Sequence, residues 1–298
     1  MANIGRLITA MVTPFTSSGE VDYDQAQKLA LALIDSGSDG VVVTGSTGEA
    51  PSLTRKEKAR LWREIKQAIG DKGSVIAGTG TYSTSESLEL SELARESAAD
   101  GLLIVVPYYN KPSQEGLFEH FKVIAESTSL PCIPYNVPSR TITNLNSETT
   151  IRLSKIPNII GVKEASGDFD QIGRIIAGTD EEFRVWSGND SDTFGCMSLG
   201  GYGVVSVASH LIGEQIKEMI SLIIAGENVA AAKEHLRQLP LAKGLFIESN
   251  PIPLKYCLNH IGFHVGGLRL PLTTANKESI PFLEELLSSY DIDLSISG

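Results

Sequence analysis

The chain has 298 residues, 42% hydrophobic and 20% charged, with a formal charge of −11, which suits one large α/β barrel or two ordinary domains. No cluster of Lys and Arg gathers on one segment, so nucleic acid and anionic membrane surfaces are excluded as expected partners, whereas an anionic small molecule is not. The opening MANIGRLITAMVTPF lacks a signal-peptide layout, no run of about 18 apolar residues offers a membrane span, and Cys132, Cys196 and Cys257 are widely spaced without a CxxC; three reduced thiols in a cytoplasmic protein are the expectation.

Short apolar runs alternate with longer amphipathic stretches. In chain order the runs cover 6–12, 40–44, 74–77, 101–106, 131–135, 159–163, 183–186 and 203–207. They are mostly unbroken rather than alternating, the pattern of strands buried on both faces. Between them, Thr54-Arg55-Lys56-Glu57 fits a capping box ahead of Leu61, Trp62, Ile65, Ala68 and Ile69 on one helix face, and Ser83-Thr84-Ser85-Glu86 fits another ahead of Leu90, Leu93 and Ala94. Shorter helices are predicted over 115–125, 147–153, 168–177 and 190–199.

Eight strand-like runs separated by seven helical ones predict an α/β fold, a single (β/α)₈ TIM barrel, with a doubly wound sheet as the alternative. After the eighth run the chain reads as helix from 212 to about 247, then near 253–258 and 281–288. The division expected is a barrel over 1–224 that carries the active site and a C-terminal helical extension over 225–298 packed on it. No repeat, linker or low-complexity segment interrupts this reading.

The sixth run ends in a lysine, Ile159-Ile160-Gly161-Val162-Lys163. A lysine at the lip of a buried strand is partly desolvated, which lowers its pKa and frees an amine that can attack a ketone to form a Schiff base. The plainer alternative is a strand-end lysine that snorkels into solvent. In such a barrel the loops leaving the C-terminal strand ends meet at one mouth. Those ends carry Gly45-Ser46-Thr47-Gly48-Glu49, Gly78-Thr79-Gly80, Pro107-Tyr108-Tyr109-Asn110, Tyr135 through Arg140, Lys163-Glu164 and Ser187-Gly188-Asn189-Asp190. Hydroxyls, glycine-freed amides, one arginine and one lysine suit a small keto acid. His120, His210, His235, His260 and His264 are scattered, so no metal site is expected.

GSTGE after the second run, PYYNKPSQEG after the fourth, YNVPSR after the fifth, GVKEASGD at the sixth, and NPIPLKY (250–256) and LRLP (268–271) together resemble the dihydrodipicolinate synthase/N-acetylneuraminate lyase family over nearly the whole chain. The resemblance implies a class I lyase that forms a Schiff base between pyruvate and Lys163, chemistry that needs no external cofactor. It implies Tyr135 as the phenol that moves protons at the carbinolamine and enamine. Ser46 stands where family members more often carry threonine, and is implied as the hydroxyl linking Tyr135 to Tyr109 in a proton relay. Thr47, Gly188 and Val205 are implied as substrate-binding, Thr47 with its neighbouring amides holding the pyruvate carboxylate.

In the family the residue at Tyr109 reaches a neighbouring subunit, which implies a homo-oligomer, either a homodimer or a homotetramer built as a dimer of tight dimers. Adjacent residues in extended chain point to opposite sides, so Tyr108 and Tyr109 cannot share one task. Arg140, a fixed bidentate carboxylate donor, is implied to receive the carboxylate of aspartate-4-semialdehyde, giving 4-hydroxy-tetrahydrodipicolinate for lysine and diaminopimelate biosynthesis. Family members that act on 2-keto-3-deoxy acids or N-acetylneuraminate generally lack an arginine there, and remain the alternative, as does a non-catalytic pyruvate-sensing barrel. Ile142-Thr143 replaces a glycine usual in synthases, which bears on how Arg140 is held. Glu164 is expected to face away from Lys163 as a structural residue. Glu86 and Tyr108 match an allosteric lysine pocket of the family, but Arg55, Lys58 and Tyr82 replace its imidazoles and asparagine, so weak or absent lysine inhibition is expected.

Overall fold

All eight apolar runs form strands in the computed structural model, which describes residues 4–295. They are β1 (Leu7–Ala10), β2 (Gly40–Val43), β3 (Ser74–Gly78), β4 (Gly101–Val105), β5 (Cys132–Asn136), β6 (Gly161–Glu164), β7 (Arg184–Ser187) and β8 (Gly203–Ser206). Each is parallel to the next, and β8 closes on β1 through Leu7 opposite Val204 and Ile8 opposite Val205, giving a closed eight-stranded barrel. The unbroken apolar runs follow from this closure. One face of each strand fills the barrel and the other packs under helices, so both are mostly apolar.

Helices Tyr23–Asp35, Arg55–Ile69, Thr84–Glu96, Gln114–Glu126, Phe169–Gly178, Thr193–Ser198 and Ser209–Ile224 follow β1 to β4 and β6 to β8 in turn. Two helices, Pro138–Thr141 and Ser147–Leu153, follow β5. The (β/α)₈ barrel expected from the sequence is therefore the fold. Tyr23–Asp35, opened by Asp22 accepting from Gln25 N, has no counterpart among the helices named from sequence. Thr54 and Glu57 form the reciprocal box expected of them. Ser83 forms only half of one: its hydroxyl accepts from Glu86 N, while its own N–H donates to Thr81 Oγ1 at 3.0 Å. Glu86 is thus released from the cap and faces Arg55 across 3.9 Å.

The helix predicted over 190–199 divides into a 3₁₀ turn (Asp190–Asp192) and Thr193–Ser198. The long helix predicted from 212 to 247 is two, Ser209–Ile224 and Asn228–Gly244, parted at Gly226, whose φ of +78° a continuing helix does not allow. Within the first, Ile212 leaves helical geometry (φ −133°, ψ 45°). The amides freed there, Gly213 N and Glu214 N, donate to the carboxylate of Asp293 at 2.9 and 3.0 Å, so a residue 80 positions away caps the resumed helix.

Ile252–His260 and Ile280–Ser288 complete the C-terminal segment. Leu254, Leu258, Val265, Leu283 and Leu294 bury into the same apolar core as the barrel strands, and Phe15 N donates to Val265 O at 3.0 Å. The extension shares the barrel's core rather than forming its own.

Candidate active site

β5 and β6 align so that Tyr135 lies directly opposite Lys163. Neighbouring strands in one register place both side chains on the inner face of the barrel, and the Lys163 Nζ sits 4.0 Å from the Tyr135 ring centre. Lys163 is only 5% exposed. Burial is the main cause that pulls its pKa down, to about 7; the nearby Asp190 carboxylate opposes the shift and Arg140 adds to it. A substantial fraction of the amine is therefore unprotonated at neutral pH. Burial pushes the Tyr135 phenol up to about 12, with Arg140 opposing and Glu164 reinforcing that rise, so its proton stays in place to be donated.

Gly188, at the end of β7, makes room for the lysine arm. A Cβ at that position would stand 2.5 Å from Ala165 Cβ and 3.2 Å from Lys163 Cε. Glu164, the neighbour of Lys163, points outward as strand alternation requires. It is buried and accepts from Asn136 Nδ2 at 3.0 Å, Ser166 N at 2.8 Å and Gln171 Nε2 at 3.1 Å, a set of donors that satisfies it as a structural carboxylate.

The loop after β2 supplies the hydroxyls. Thr44 turns the chain at φ +60°, an uncommon conformation for a β-branched residue. It is held there by donating to Gly78 O at 3.2 Å and accepting from Trp62 Nε1 at 3.0 Å. The next turn closes through Glu49 N to Ser46 O (3.1 Å) and Ala50 N to Gly45 O (3.2 Å), while the N–H groups of Ser46, Thr47 and Gly48 have no partner among the described residues. Amides left free at a turn can receive an anion, and Ser46 and Thr47 line the cavity below.

Ser46, Thr47, Tyr135, Arg140, Lys163, Gly188 and Asn250 line one cavity of about 440 Å³. Lys163 and the Ser46–Thr47 turn thus line the same cavity. Just past β8 the lining residue is Val207; Val205, on the strand itself, lies two residues deeper on the same face and does not line the cavity. Tyr109 is not brought to the cavity within one chain. It is 91% exposed, with φ +76°, on the loop after β4. Arg140 sits on the single turn Pro138–Thr141, where its Nη2 donates to Asn250 O at 3.3 Å. Ile142, next but one, caps that turn in the left-handed conformation (φ +62°) with its side chain in solvent, so the residue usual there, glycine, fits the backbone better than isoleucine does.

Two residues of the site received no role from sequence. Asp190, in the Ser187–Asp190 stretch, is half-buried and anchored by Ser206 Oγ and by Val207 N at 2.9 Å and Ala208 N at 3.2 Å. Its position at a strand end was visible, its proximity to Lys163 was not. Asn250, in the NPIPLKY motif, comes from the C-terminal extension and enters the cavity beside Thr47.

A second cavity of about 410 Å³ adjoins the first, sharing Ser46, Tyr135, Arg140 and Asn250 and adding Ser52, Lys58, Thr81 and Tyr108. Lys58 is buried there, its pKa lowered chiefly by desolvation, with Glu86 opposing and Arg55 assisting. Arg55 pairs with Glu89 and lies near Glu86, and Tyr82 packs edge-on against Tyr108 with ring centres 5.4 Å apart. Among the described residues, no three His, Cys, Asp or Glu side chains gather as metal ligands, and no helix is long and apolar enough to cross a membrane.

The family model of the dihydrodipicolinate synthetase family matches residues 3–290. The 4-hydroxy-tetrahydrodipicolinate synthase of Dehalococcoides mccartyi strain CBDB1 is 58% identical over 296 residues, covering 99% of this chain and 100% of its own. That of Moorella thermoacetica is 53% identical over 274 residues, 92% of this chain and 94% of its own. Among solved structures, a dihydrodipicolinate synthase of Bacillus anthracis superposes with a TM-score of 0.95 at 43% identity over 98% of this chain and 100% of that one. One from Cyanidioschyzon merolae, with lysine bound, does so with a TM-score of 0.95 at 44% identity over 96% and 98%.

Proposed function

The chain belongs to the dihydrodipicolinate synthetase family and is a lyase making 4-hydroxy-tetrahydrodipicolinate for lysine and diaminopimelate biosynthesis; we propose that it does so through a Schiff base between pyruvate and Lys163. The observation that carries this reading is the burial of Lys163 beside Tyr135, which leaves a substantial fraction of its amine unprotonated near pH 7 in a polar cavity. The pyruvate carboxylate lies against the Thr47 hydroxyl and the free amides of Ser46, Thr47 and Gly48, and its ketone carbon faces Lys163 Nζ.

Attack forms a carbinolamine. Tyr135, with its proton held, donates to the departing hydroxyl, which leaves as water and gives the imine. Loss of a methyl proton gives the enamine, and its terminal carbon bonds to the aldehyde carbon of aspartate-4-semialdehyde, whose carboxylate Arg140 receives. The amine of that substrate then attacks the imine carbon and expels Lys163, closing the ring. Ser46 passes protons between Tyr135 and Tyr109, the latter delivered by a second copy of the chain, because its own copy holds it in solvent. A homodimer or a dimer of dimers follows, acting in the cytoplasm. Residues 1–224 carry the lysine, tyrosines and arginine, and 225–298 brace them and add Asn250. Val205 supports the floor beneath Val207. Glu86 and Tyr108 mark an effector lobe that Lys58 and Arg55 make hostile to an ammonium ligand.

The test is turnover of pyruvate with aspartate-4-semialdehyde, read as NADPH consumption by added dihydrodipicolinate reductase. Turnover that falls by orders of magnitude in Lys163→Ala, and selectively for the semialdehyde in Arg140→Met, is expected. Absence of turnover, with borohydride still trapping pyruvate on Lys163, would keep the lyase chemistry and direct the search to sugar-acid aldehydes.

A further inference from the structure

The Thr47 hydroxyl is 4% exposed as a residue and Asn250 5%. Asn250 Nδ2 donates to Thr47 Oγ1 at 2.8 Å, a buried side-chain bond across 203 residues of sequence. Asn250 Oδ1 is buried with no partner among the described residues. The same residue's backbone oxygen accepts from Arg140 Nη2. A residue of the C-terminal extension thus touches the two side chains that face the two substrates' carboxylates.

A threonine hydroxyl carries one proton and two lone pairs. Left alone it rotates, and either accepts or donates. An amide N–H aimed at its oxygen occupies a lone pair, and its own proton meets no acceptor among the described residues. The remaining direction is the cavity, which Ser46 and Thr47 line and where their backbone amides have no partner among the described residues. We infer that Asn250 is a positioning residue for the pyruvate half-reaction: its side-chain amide fixes the Thr47 hydroxyl with the proton outward, so that the group meets an incoming carboxylate as a donor. This rests on the reading of Thr47 given above. Asn250 does not act on the reacting atoms; it removes the orientation in which Thr47 would present a lone pair to an anion.

The experiment is borohydride trapping of pyruvate on the full-length enzyme as a function of pyruvate concentration and pH, without the second substrate. Losing one oriented hydrogen bond to a charged group corresponds to roughly a tenfold rise in half-saturating pyruvate. Asn250→Ala and Thr47→Val each produce that rise, while the pH midpoint set by Lys163 stays in place, a signature that general loosening of the site would not preserve. In the double variant the rise stays near tenfold rather than reaching about a hundredfold, because the two residues form one unit. Asn250→Asp, which keeps size and shape and carries the test if the alanine variant does not fold, raises half-saturation further. A carboxylate draws the Thr47 proton inward and repels the substrate. A multiplicative double variant, or an aspartate variant that binds pyruvate as well as the parent, overturns the inference. If Thr47→Val alone leaves half-saturation unchanged while trapping persists, the role given to Thr47 fails, and the inference fails with it, distinguishably from failure at Asn250.

Discussion

Burial sets the lowered pKa of Lys163, and two neighbours of opposite charge then act on it in opposite directions; each can be removed separately. Asp190 raises the lysine pKa and Arg140 lowers it. Schiff-base formation needs the neutral amine, so trapping increases with pH through about 7 and levels off above it. Asp190→Asn removes a charge that favours the ammonium, so the midpoint moves to lower pH. Arg140→Met removes a charge that disfavours it, so the midpoint moves up. Stopped-time borohydride trapping across pH 5 to 9 reads both, and shifts of the same sign in the two variants would contradict the assignment. Gly188 sets a steric condition on the same arm. The methyl of Gly188→Ala would overlap Ala165 and press on Lys163 Cε, so trapping falls steeply and thermal unfolding shifts by the roughly 1–3 kcal/mol typical of an overfilled core. That Lys163, Tyr135 and Arg140 would meet at one mouth was legible because each sits in a local motif at a strand end. The roles of Asp190 and Asn250 were not, because the charge that Asp190 brings near Lys163 and the bond from Asn250 to Thr47 exist only once the barrel closes and the C-terminal segment returns.

Strands were the most legible elements, since barrel closure demands an unbroken apolar run at each of the eight positions and the sequence has eight. Helix ends and interruptions were less so. The 212–247 stretch carries a continuous apolar face, and periodicity alone does not register that Gly226 turns the chain with positive φ. Nor does it register that Ile212 departs from the helix while Asp293 caps the turns resumed at Gly213. The Ser83 box failed for a similar reason: a competing acceptor, Thr81 Oγ1, took the N–H that Glu86 would have bound. The one-turn helix Pro138–Thr141 offers a direct check on element geometry. Ile142 ends it at φ +62° with its side chain exposed, a conformation that costs a β-branched residue about 1–2 kcal/mol and glycine little. Ile142→Gly therefore raises the melting temperature by about 2 °C or more. It leaves the KM for the semialdehyde within about twofold, because the Asn250 carbonyl holds Arg140 and contacts on the order of 1 kcal/mol convert to only a few-fold in affinity. A large change in that KM would mean the loop, not Asn250, sets the guanidinium.

At the scale of the whole molecule, the C-terminal extension is tied to the loop that carries Ser46 and Thr47. Lys255 and Glu49, each 1% exposed in its side chain, pair at 2.7 Å. Lys255 also donates to Gly267 O at 2.7 Å and lies 4.2 Å from the Phe15 ring centre. Arg269 extends the tie, its backbone N–H donating to Glu49 Oε2 at 3.0 Å and its guanidinium bridging Gly19 O, Ser52 O and Glu57. Burial pulls the Lys255 pKa down to about 8, with Glu49 opposing the shift, so the ammonium form depends on its partner. Breaking such a pair from one side leaves the other charge buried, a loss of about 3–5 kcal/mol, whereas replacing both partners by apolar groups of similar volume is often neutral. Lys255→Met should lower the midpoint of denaturant unfolding strongly, and Lys255→Met with Glu49→Leu should recover most of it. If the pair only adds stability, the double variant also recovers the pyruvate dependence of trapping. If the charges also hold the shape of the 45–49 loop, stability returns while half-saturating pyruvate stays high, because an apolar pair fills the space without the bond from Arg269 N to Glu49 that fixes the turn.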